Sequence, residues 1–207
     1  MIRFANVWQR KYSFPETHIQ GERIYLRPPE SQDYPAWYMT RSRSRHDLEE
    51  YEPRWPVGCL EQSFFERRLA YQAQNWVCDR SYSFLIFHDE THELLGGINI
   101  NNILRGCLQH ASIGYWLDIE ARGHGYMQEA LKLILEFAFD DIGLKRVNIS
   151  SLPYNQRSRK VIEAVGFEKE GYARNYLQIN GVWQDHVLYG MTLEYFRQQN
   201  TCPDDSA

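Results

Sequence analysis

Cysteine is scarce in this chain: Cys59, Cys78, Cys107 and Cys202 are the only four in 207 residues, and no two form a Cys-x-x-Cys pair. A disulfide framework or a zinc site needs paired or clustered thiols, so reduced thiols and no metal are expected. Long hydrophobic runs are missing too. Leu133–Leu135 and Phe137–Phe139 are separated by Glu136, far short of the roughly 20 apolar residues of a spanning helix. Near the start, Arg3, Gln9, Arg10 and Lys11 leave no apolar stretch for a signal peptide. Positive charge is not in excess: 23 Lys and Arg against 27 Asp and Glu give a net −4, the wrong sign for coating nucleic acid. A cytoplasmic protein without a membrane partner or direct nucleic-acid contact is the expectation.

Apolar residues at 43% and aromatics at 14% are enough for a real core, and no linker, repeat or low-complexity tract divides it. One domain over 21–195 is expected, between an N-terminal arm, 1–20, and a C-terminal tail, 196–207. Arg23–Arg27 reads as a strand stopped by Pro28-Pro29, and helices are expected at about 31–46 and 60–76 around the Pro53/Pro56 loop. Within the first helix, Arg41-Ser42-Arg43-Ser44-Arg45 reads as a solvated helix end rather than a contact for an acidic partner. Strands follow at Tyr82–Phe87, Leu94–Leu104 and Leu108–Leu117, then a helix over about 124–140 whose inward face is Met127, Ala130, Leu131, Ile134 and Ala138. Val147–Ser151 is a strand, Asn155–Val165 a helix closed by Gly166, and Asn180-Gly181 a type I′ hairpin turn pairing Ile179 with Val182, Gln178 with Trp183 and Tyr176 with Asp185. The order describes an α+β domain with a largely antiparallel sheet.

One segment carries chemistry. A strand ending at Leu117 feeds a short loop, and Gly123 and Gly125 open an amphipathic helix. The first N–H groups of a helix have no internal partner and the dipole there is positive, so glycines that admit a close approach make an anion site. A dinucleotide fold would want a third glycine where Gln128 stands and no intervening loop; a Walker loop would need Gly-Lys-Ser/Thr. A plain glycine-rich helix entry stays open as the alternative.

The segment resembles the Gcn5-related N-acetyltransferase (GNAT) superfamily, whose signature Gln/Arg-x-x-Gly-x-Gly/Ala opens a helix. Arg122, Gly125 and Met127 stand at its fixed positions, with Met127 in place of the usual small residue, its side chain directed into space that is normally open. The similarity extends to the RimJ/RimL-like ribosomal-protein-alanine N-acetyltransferases through Gly114-Tyr115, Gly125–Leu131, Asn155-Gln156-Arg157-Ser158, Gly166–Ala173 and Gly181–Leu188. It covers most of residues 22–192 and weakens before about residue 80.

That resemblance implies a GNAT fold, a mixed, mostly antiparallel sheet flanked by helices and splayed between its fourth and fifth strands, with acetyl-CoA as co-substrate. The pantetheine arm would lie in the splay against the backbone near Trp116 and Leu117. The pyrophosphate would meet the turn of Gly123, His124, Gly125, Tyr126, Met127 and Gln128, with Arg122 adding charge and Asn155 touching the coenzyme. Ser158 sits with Val161, Ile162 and Val165 at helical spacing, so its hydroxyl wants a partner. One reading makes Asn155 a helix cap with Ser158 satisfied locally. The family reading makes Ser158 the catalytic donor to the departing thiolate.

The expected reaction is direct attack of a neutral amine on the thioester, with an oxyanion contact near Leu117. An α-amino group of pKa near ~8 is about a tenth neutral at pH 7, a lysine near ~10.4 about once in 2,500. An N-terminal acceptor, a ribosomal protein foremost, therefore needs only a weak base, for which Glu49, Glu50, Glu52 and Asp185 are candidates. A small-molecule acetyltransferase for a polyamine, amino sugar or antibiotic is the alternative, and a silent coenzyme-binding ribosome-assembly module a third; oligomeric state, monomer or homodimer, stays open. His88-Asp89-Glu90-Thr91-His92 lies between strands and lacks helical metal geometry, and Trp37, Trp55 and Trp76 read as core before acceptor cleft.

Overall fold

The computed structural model describes residues 14–200. Strands β1 (Ile19–Gln20) and β2 (Ile24–Arg27) precede helices α1 (Tyr34–Arg43), α2 (Arg45–Glu49) and α3 (Gln62–Val77). Strands β3 (Tyr82–His88), β4 (Leu94–Leu104) and β5 (His110–Leu117) follow, then helix α4 (Tyr126–Glu136), which runs on into a wide π turn, Phe137–Asp141. The chain ends with β6 (Arg146–Ser151), α5 (Gln156–Ala164), β7 (Glu168–Ile179), β8 (Val182–Thr192) and α6 (Leu193–Asn200). The eight strands form one sheet in the order β1-β2-β3-β4-β5-β6-β8-β7. The β5–β6 pair is parallel and the others antiparallel. The mixed, helix-flanked sheet expected from the sequence is therefore present, and with β1 added the expected fourth and fifth strands are β5 and β6.

Helices cover both faces, so β3 reads as an apolar run instead of an alternation, and Ser83 to Phe87 are all buried. Phe84 and Ile86 point into the main core with Leu131, Ile134 and Leu135 of α4. Leu85 and Phe87 point the other way, into a second cluster with Trp37 of α1, Phe65 of α3 and Trp116 of β5. Each fully buried leucine or isoleucine of α4 contributes about 1.5–3 kcal/mol of transfer free energy, so this stripe fixes the helix on its face of the sheet. The inward face expected from helical spacing, Met127 to Ala138, is the buried one.

The hairpin turn adopts its expected form, with Asn180 at φ 44° and Gly181 at φ 84°. Ile179 faces Val182 and Gln178 faces Trp183, but the expected Tyr176–Asp185 pair is absent. The ladder passes from Leu177↔Gln184 to Ala173↔His186 across a bulge. Asp185 is the cause: its carboxylate accepts the Asn175 N–H at 2.8 Å and the Tyr172 hydroxyl at 2.7 Å, drawing the extra residues out of register. Strand β5 begins at His110 rather than Leu108, after Gln109 at φ 42°. The first expected helix is interrupted at Ser44.

The arginine cluster is a solvated helix end only in part: Arg43 and Arg45 are exposed, but all three arginines are ion-paired. Arg41 is buried and forms a bidentate pair with Glu52 at 2.7 and 2.8 Å. Arg43 pairs with Asp118 and with Glu120, and Arg45 with Glu49. Ser44 donates to Asp118 at 2.8 Å and accepts the Ile119 N–H at 3.0 Å. The cluster ties α1 and α2 to the end of β5.

At the termini, Phe14 meets Trp76 edge-on and Ile19–Gln20 pairs with β2, while α6 crosses residue 195 with Phe196 packed on Phe139. The rest of the arm, residues 1–13, and the tail from Thr201, Cys202 included, lie outside the described residues.

Asp118 is only 2% exposed and accepts three hydrogen bonds at once, two from Arg43 and one from Ser44. Asp118→Ala removes the acceptor from both Arg43 and Ser44, and should lower unfolding free energy by about 3 kcal/mol, read as a fall in the urea midpoint at constant slope.

Candidate active site

Strands β5 and β6 pair only at His110↔Arg146, Ala111↔Val147 and Ser112↔Asn148. From Ile113 onward β5 is paired with β4 alone, and the two strands part. The parting opens one cleft of ≈ 1700 Å³ that runs through the sheet from one helical face to the other.

On the α4–α5 face, Tyr115 reaches from the unpaired part of β5 to the first turn of α5, where its hydroxyl lies 2.8 Å from Ser158 Oγ. Burial pushes the Tyr115 phenol up to about 12, so it keeps its proton at neutral pH. The Asn155 side chain caps α5 by accepting the Ser158 N–H at 3.1 Å. Its amide NH2 makes no hydrogen bond among the described residues.

At the start of α4, Gly123 and Gly125 both sit at φ 81°, a conformation that opens the turn and that an L side chain would strain. The N–H groups of Gly125, Tyr126 and Met127 find no acceptor among the described residues. The turn is held from behind: Arg23 donates to the His124 carbonyl at 2.8 Å and to Glu129 at 3.0 Å, and Glu129 accepts the Glu22 and Arg23 N–H groups at 2.8 Å. Arg122 pairs with Asp47 of α2, which Arg157 of α5 also reaches at 3.4 Å. The Arg122 hydrogen bond holds the Asp47 carboxyl below the usual range. Arg122 Nη1 is buried without a hydrogen-bond partner among the described residues. Free N–H groups, glycines that admit close approach and a surplus guanidinium suit a pyrophosphate, so the residues present fit coenzyme A.

On the α1–α3 face, strand register aligns Asn99, Gly114, Trp116, Asn148 and His186 on one side of the sheet. His186 is 3% exposed, and its Nδ1 lies 3.0 Å from the Gln184 carbonyl, which can only accept. Nδ1 therefore carries the proton, and Nε2 of this cleft-lining residue is left as an acceptor. Burial lowers the pKa of this imidazole, so it is neutral at pH 7.

The sequence profile of the Acetyltransferase (GNAT) domain family matches residues 23–168. The chain belongs to this family. It is 34% identical over 170 residues to the probable N-acetyltransferase YjcK of Bacillus subtilis (strain 168), covering 82% of this chain and 94% of that one. It is 29% identical over 180 residues to the [ribosomal protein uS5]-alanine N-acetyltransferase of Escherichia coli (strain K12), covering 86% and 92%. The solved structure of Mycobacterium smegmatis RimJ in complex with CoA-disulfide superposes with a TM-score of 0.81 at 30% identity, covering 86% of this chain and 88% of that one. This protein is a GNAT acetyltransferase, and acetyl transfer is its chemistry.

Every residue expected to hold the coenzyme, and Ser158 with them, lines the one cleft: Trp116, Leu117, Arg122 to Gln128, Asn155 and Ser158. Two details differ from expectation. The Met127 side chain does not enter open space but is buried in the main core. Asn155 caps α5, the local role, and lines the cleft as well. Among the expected bases, Glu52 alone lines the cleft, and its oxygens are taken by Arg41 and Trp55. Glu49 pairs with Arg45, and Asp185 serves the hairpin bulge. Trp37 and Trp76 are core residues, Trp55 packs against Arg41, and Trp116 is the tryptophan of the cleft. His88 uses Nδ1 to accept the N–H groups of Glu90 and Thr91 in a turn. Sequence reasoning missed Tyr115 and His186 as site residues. Period-two alternation along β5 and β8 would have raised both, but only the partner strands say which face meets the cleft.

Because His186 and His110 are both held below the ordinary imidazole value of 6.5 by burial, the unfolded chain takes up protons first as pH falls. Stability should therefore be level above about pH 7.5 and decline through about pH 6.5 towards pH 5, above the range in which paired carboxylates titrate. Urea midpoints across this window should fall, and the double substitution His110→Gln, His186→Gln should flatten the fall.

Proposed function

We propose that this acetyltransferase transfers the acetyl group of acetyl-CoA to the N-terminal α-amino group of a protein, with a ribosomal protein as the first candidate. The observation that carries the reading is the state of the possible bases. Both carboxylates lining the cleft, Asp47 and Glu52, are engaged by arginines, which leaves the neutral His186 as the acceptor. A single imidazole suits an α-amine that is about a tenth neutral at pH 7, and not a lysine neutral about once in 2,500. The name of the Escherichia coli relative points to the same class of acceptor.

Acetyl-CoA supplies the activated acyl group. The turn of Gly123 to Gln128 and Arg122 hold its pyrophosphate, and the open backbone of β5 at Trp116 and Leu117 holds the pantetheine arm and polarises the carbonyl. Ser158 donates its hydroxyl proton towards the departing sulfur. Tyr115, protonated and 2.8 Å behind it, donates in turn to Ser158 Oγ and orients that hydroxyl. His186 Nε2 takes the proton from the attacking amine, directly or through water.

Initial rates with peptides beginning Ala or Ser, set beside spermidine and an aminoglycoside, test the acceptor class. Peptides should be acetylated; turnover confined to the small amines would overturn the reading. Ser158→Ala should lower kcat at least about tenfold with the KM for acetyl-CoA little changed, since the lost hydrogen bond acts only as the thiolate forms. Tyr115→Phe should lower kcat by less, because Ser158 remains. His186→Gln should lower kcat/KM about tenfold or more and abolish the acidic limb of its pH profile below the normal imidazole value.

A further inference from the structure

The lining of the cleft is charged in a repeated way. At the coenzyme end two guanidiniums, Arg122 and Arg157, share one carboxylate, Asp47. At the opposite end, on the α1–α3 face, Arg41 and Arg68 stand over one carboxylate, Glu52. Arg41 takes both Glu52 oxygens in its bidentate pair and lies between the Trp55 and Trp116 rings, at 4.3 and 4.9 Å. Arg68 is left over. It has no hydrogen bond, ion pair or ring contact among the described residues. Desolvation and, after it, the positive charge of Arg41 press its pKa down, against the pull of Glu52.

Its place in α3 makes the surplus costly. Phe65, Arg68, Leu69, Gln72, Ala73 and Trp76 fall at the spacing of one helical face, and Phe65, Ala73 and Trp76 of that face are buried against the sheet. A cation on this stripe, with Trp37 and Trp116 bordering the small cavity behind it, is worse for stability than an apolar residue of like size unless a ligand neutralises it. Arg68 lines both this cavity and the cleft together with Asn99, which pairs with Gly114 across β4 and β5. This is one strand away from the β5 backbone proposed to hold the thioester.

Resting on the protein-acceptor reading above, we infer that Arg68 is a specificity residue that binds a carboxylate of the acceptor peptide, an acidic side chain within the first three residues after which the α-amine is acetylated. The planar guanidinium fits a carboxylate in two parallel hydrogen bonds, and an extended peptide advances about 3.3 Å per residue, so Asp or Glu at the second or third position reaches it. The coenzyme's own negative charge is met at the other end of the cleft and does not answer this cation.

The test is a set of Ala-starting peptides with Asp, Glu, Asn, Gln or Lys at positions two and three. Wild-type enzyme should favour the acidic peptides over their amide isosteres at least about tenfold in kcat/KM, expressed mainly in KM. Arg68→Gln should bring that ratio to about one, and Arg68→Lys should restore part of it. Arg68→Met should leave the thermal midpoint unchanged or raise it, because a half-buried cation without a partner is removed, whereas Arg41→Met should lower it. Equal rates on acidic and amide peptides with the wild type, or an unchanged ratio in Arg68→Gln, would overturn this inference alone. Acetylation of none of the peptides, or of free amino acids in preference to them, would overturn the protein-acceptor reading and this inference together.

Discussion

The parting of β5 and β6 after Ser112 and Asn148 leaves a row of backbone N–H and C=O groups without a ladder partner in the middle of an eight-stranded sheet. Buried backbone groups that do not pair are costly, so a sheet keeps such a gap only where its flanks prevent closure and a ligand completes it. Here both flanks are fixed. On one face the Tyr115 phenol and the first turn of α5 meet across the gap through Ser158. On the other, Trp116 packs into the cluster of Trp37 and Phe65 and stacks against Arg41, holding the end of β5 to α1 and α3. Gly97 permits this, because a Cβ there would come within 2.5 Å of the Trp116 indole nitrogen. The cleft is the unpaired part of the sheet, and its walls are the packing that keeps it unpaired.

The ion pairs around that gap divide by exposure. The Asp118 cluster is buried at the carboxylate, engages a backbone N–H through Ser44, and fixes the loop that leads from β5 into the glycine turn. Arg157, largely exposed, contributes to Asp47 through solvent and adds little to stability. The turn is therefore aimed by two anchors of different origin: Asp118 with Ser44 on its entry side, and Glu129 with Arg23 beneath it. Neither anchor has to touch the coenzyme to matter. Each sets where the free N–H groups of the helix start point, and an anion site depends on that direction more than on total charge.

The donor half of the site was legible in the sequence because it is local. Two glycines, the strand before them and the helix after them lie within a short stretch, and each element announces itself by spacing or by a required φ. The stripe of α4, the cap at Asn155 and the Asn180-Gly181 turn were readable for the same reason. What was misread depended on partners far along the chain. The arginines of residues 41–45 look like a solvated run until Glu52 and Asp118 are brought to them. Tyr176 should face Asp185 by simple counting, and does not, because the Asp185 side chain takes a backbone N–H.

The acceptor half is illegible for a related reason, and Arg68 shows it most clearly. On paper it is one charge on a helix with polar neighbours, unremarkable beside Arg67, which is exposed and stacks on Phe64. Only the register of β4 with β5, the tryptophan that α1 presents and the loss of Glu52 to Arg41 turn it into an unanswered cation facing a cleft. Catalytic machinery that must meet an invariant coenzyme can be built from backbone and glycine, which leaves a pattern in the sequence. In the proposed reading, recognition of the acceptor falls to side chains on α1, α3, β4 and β8, whose meeting place is set by the fold alone.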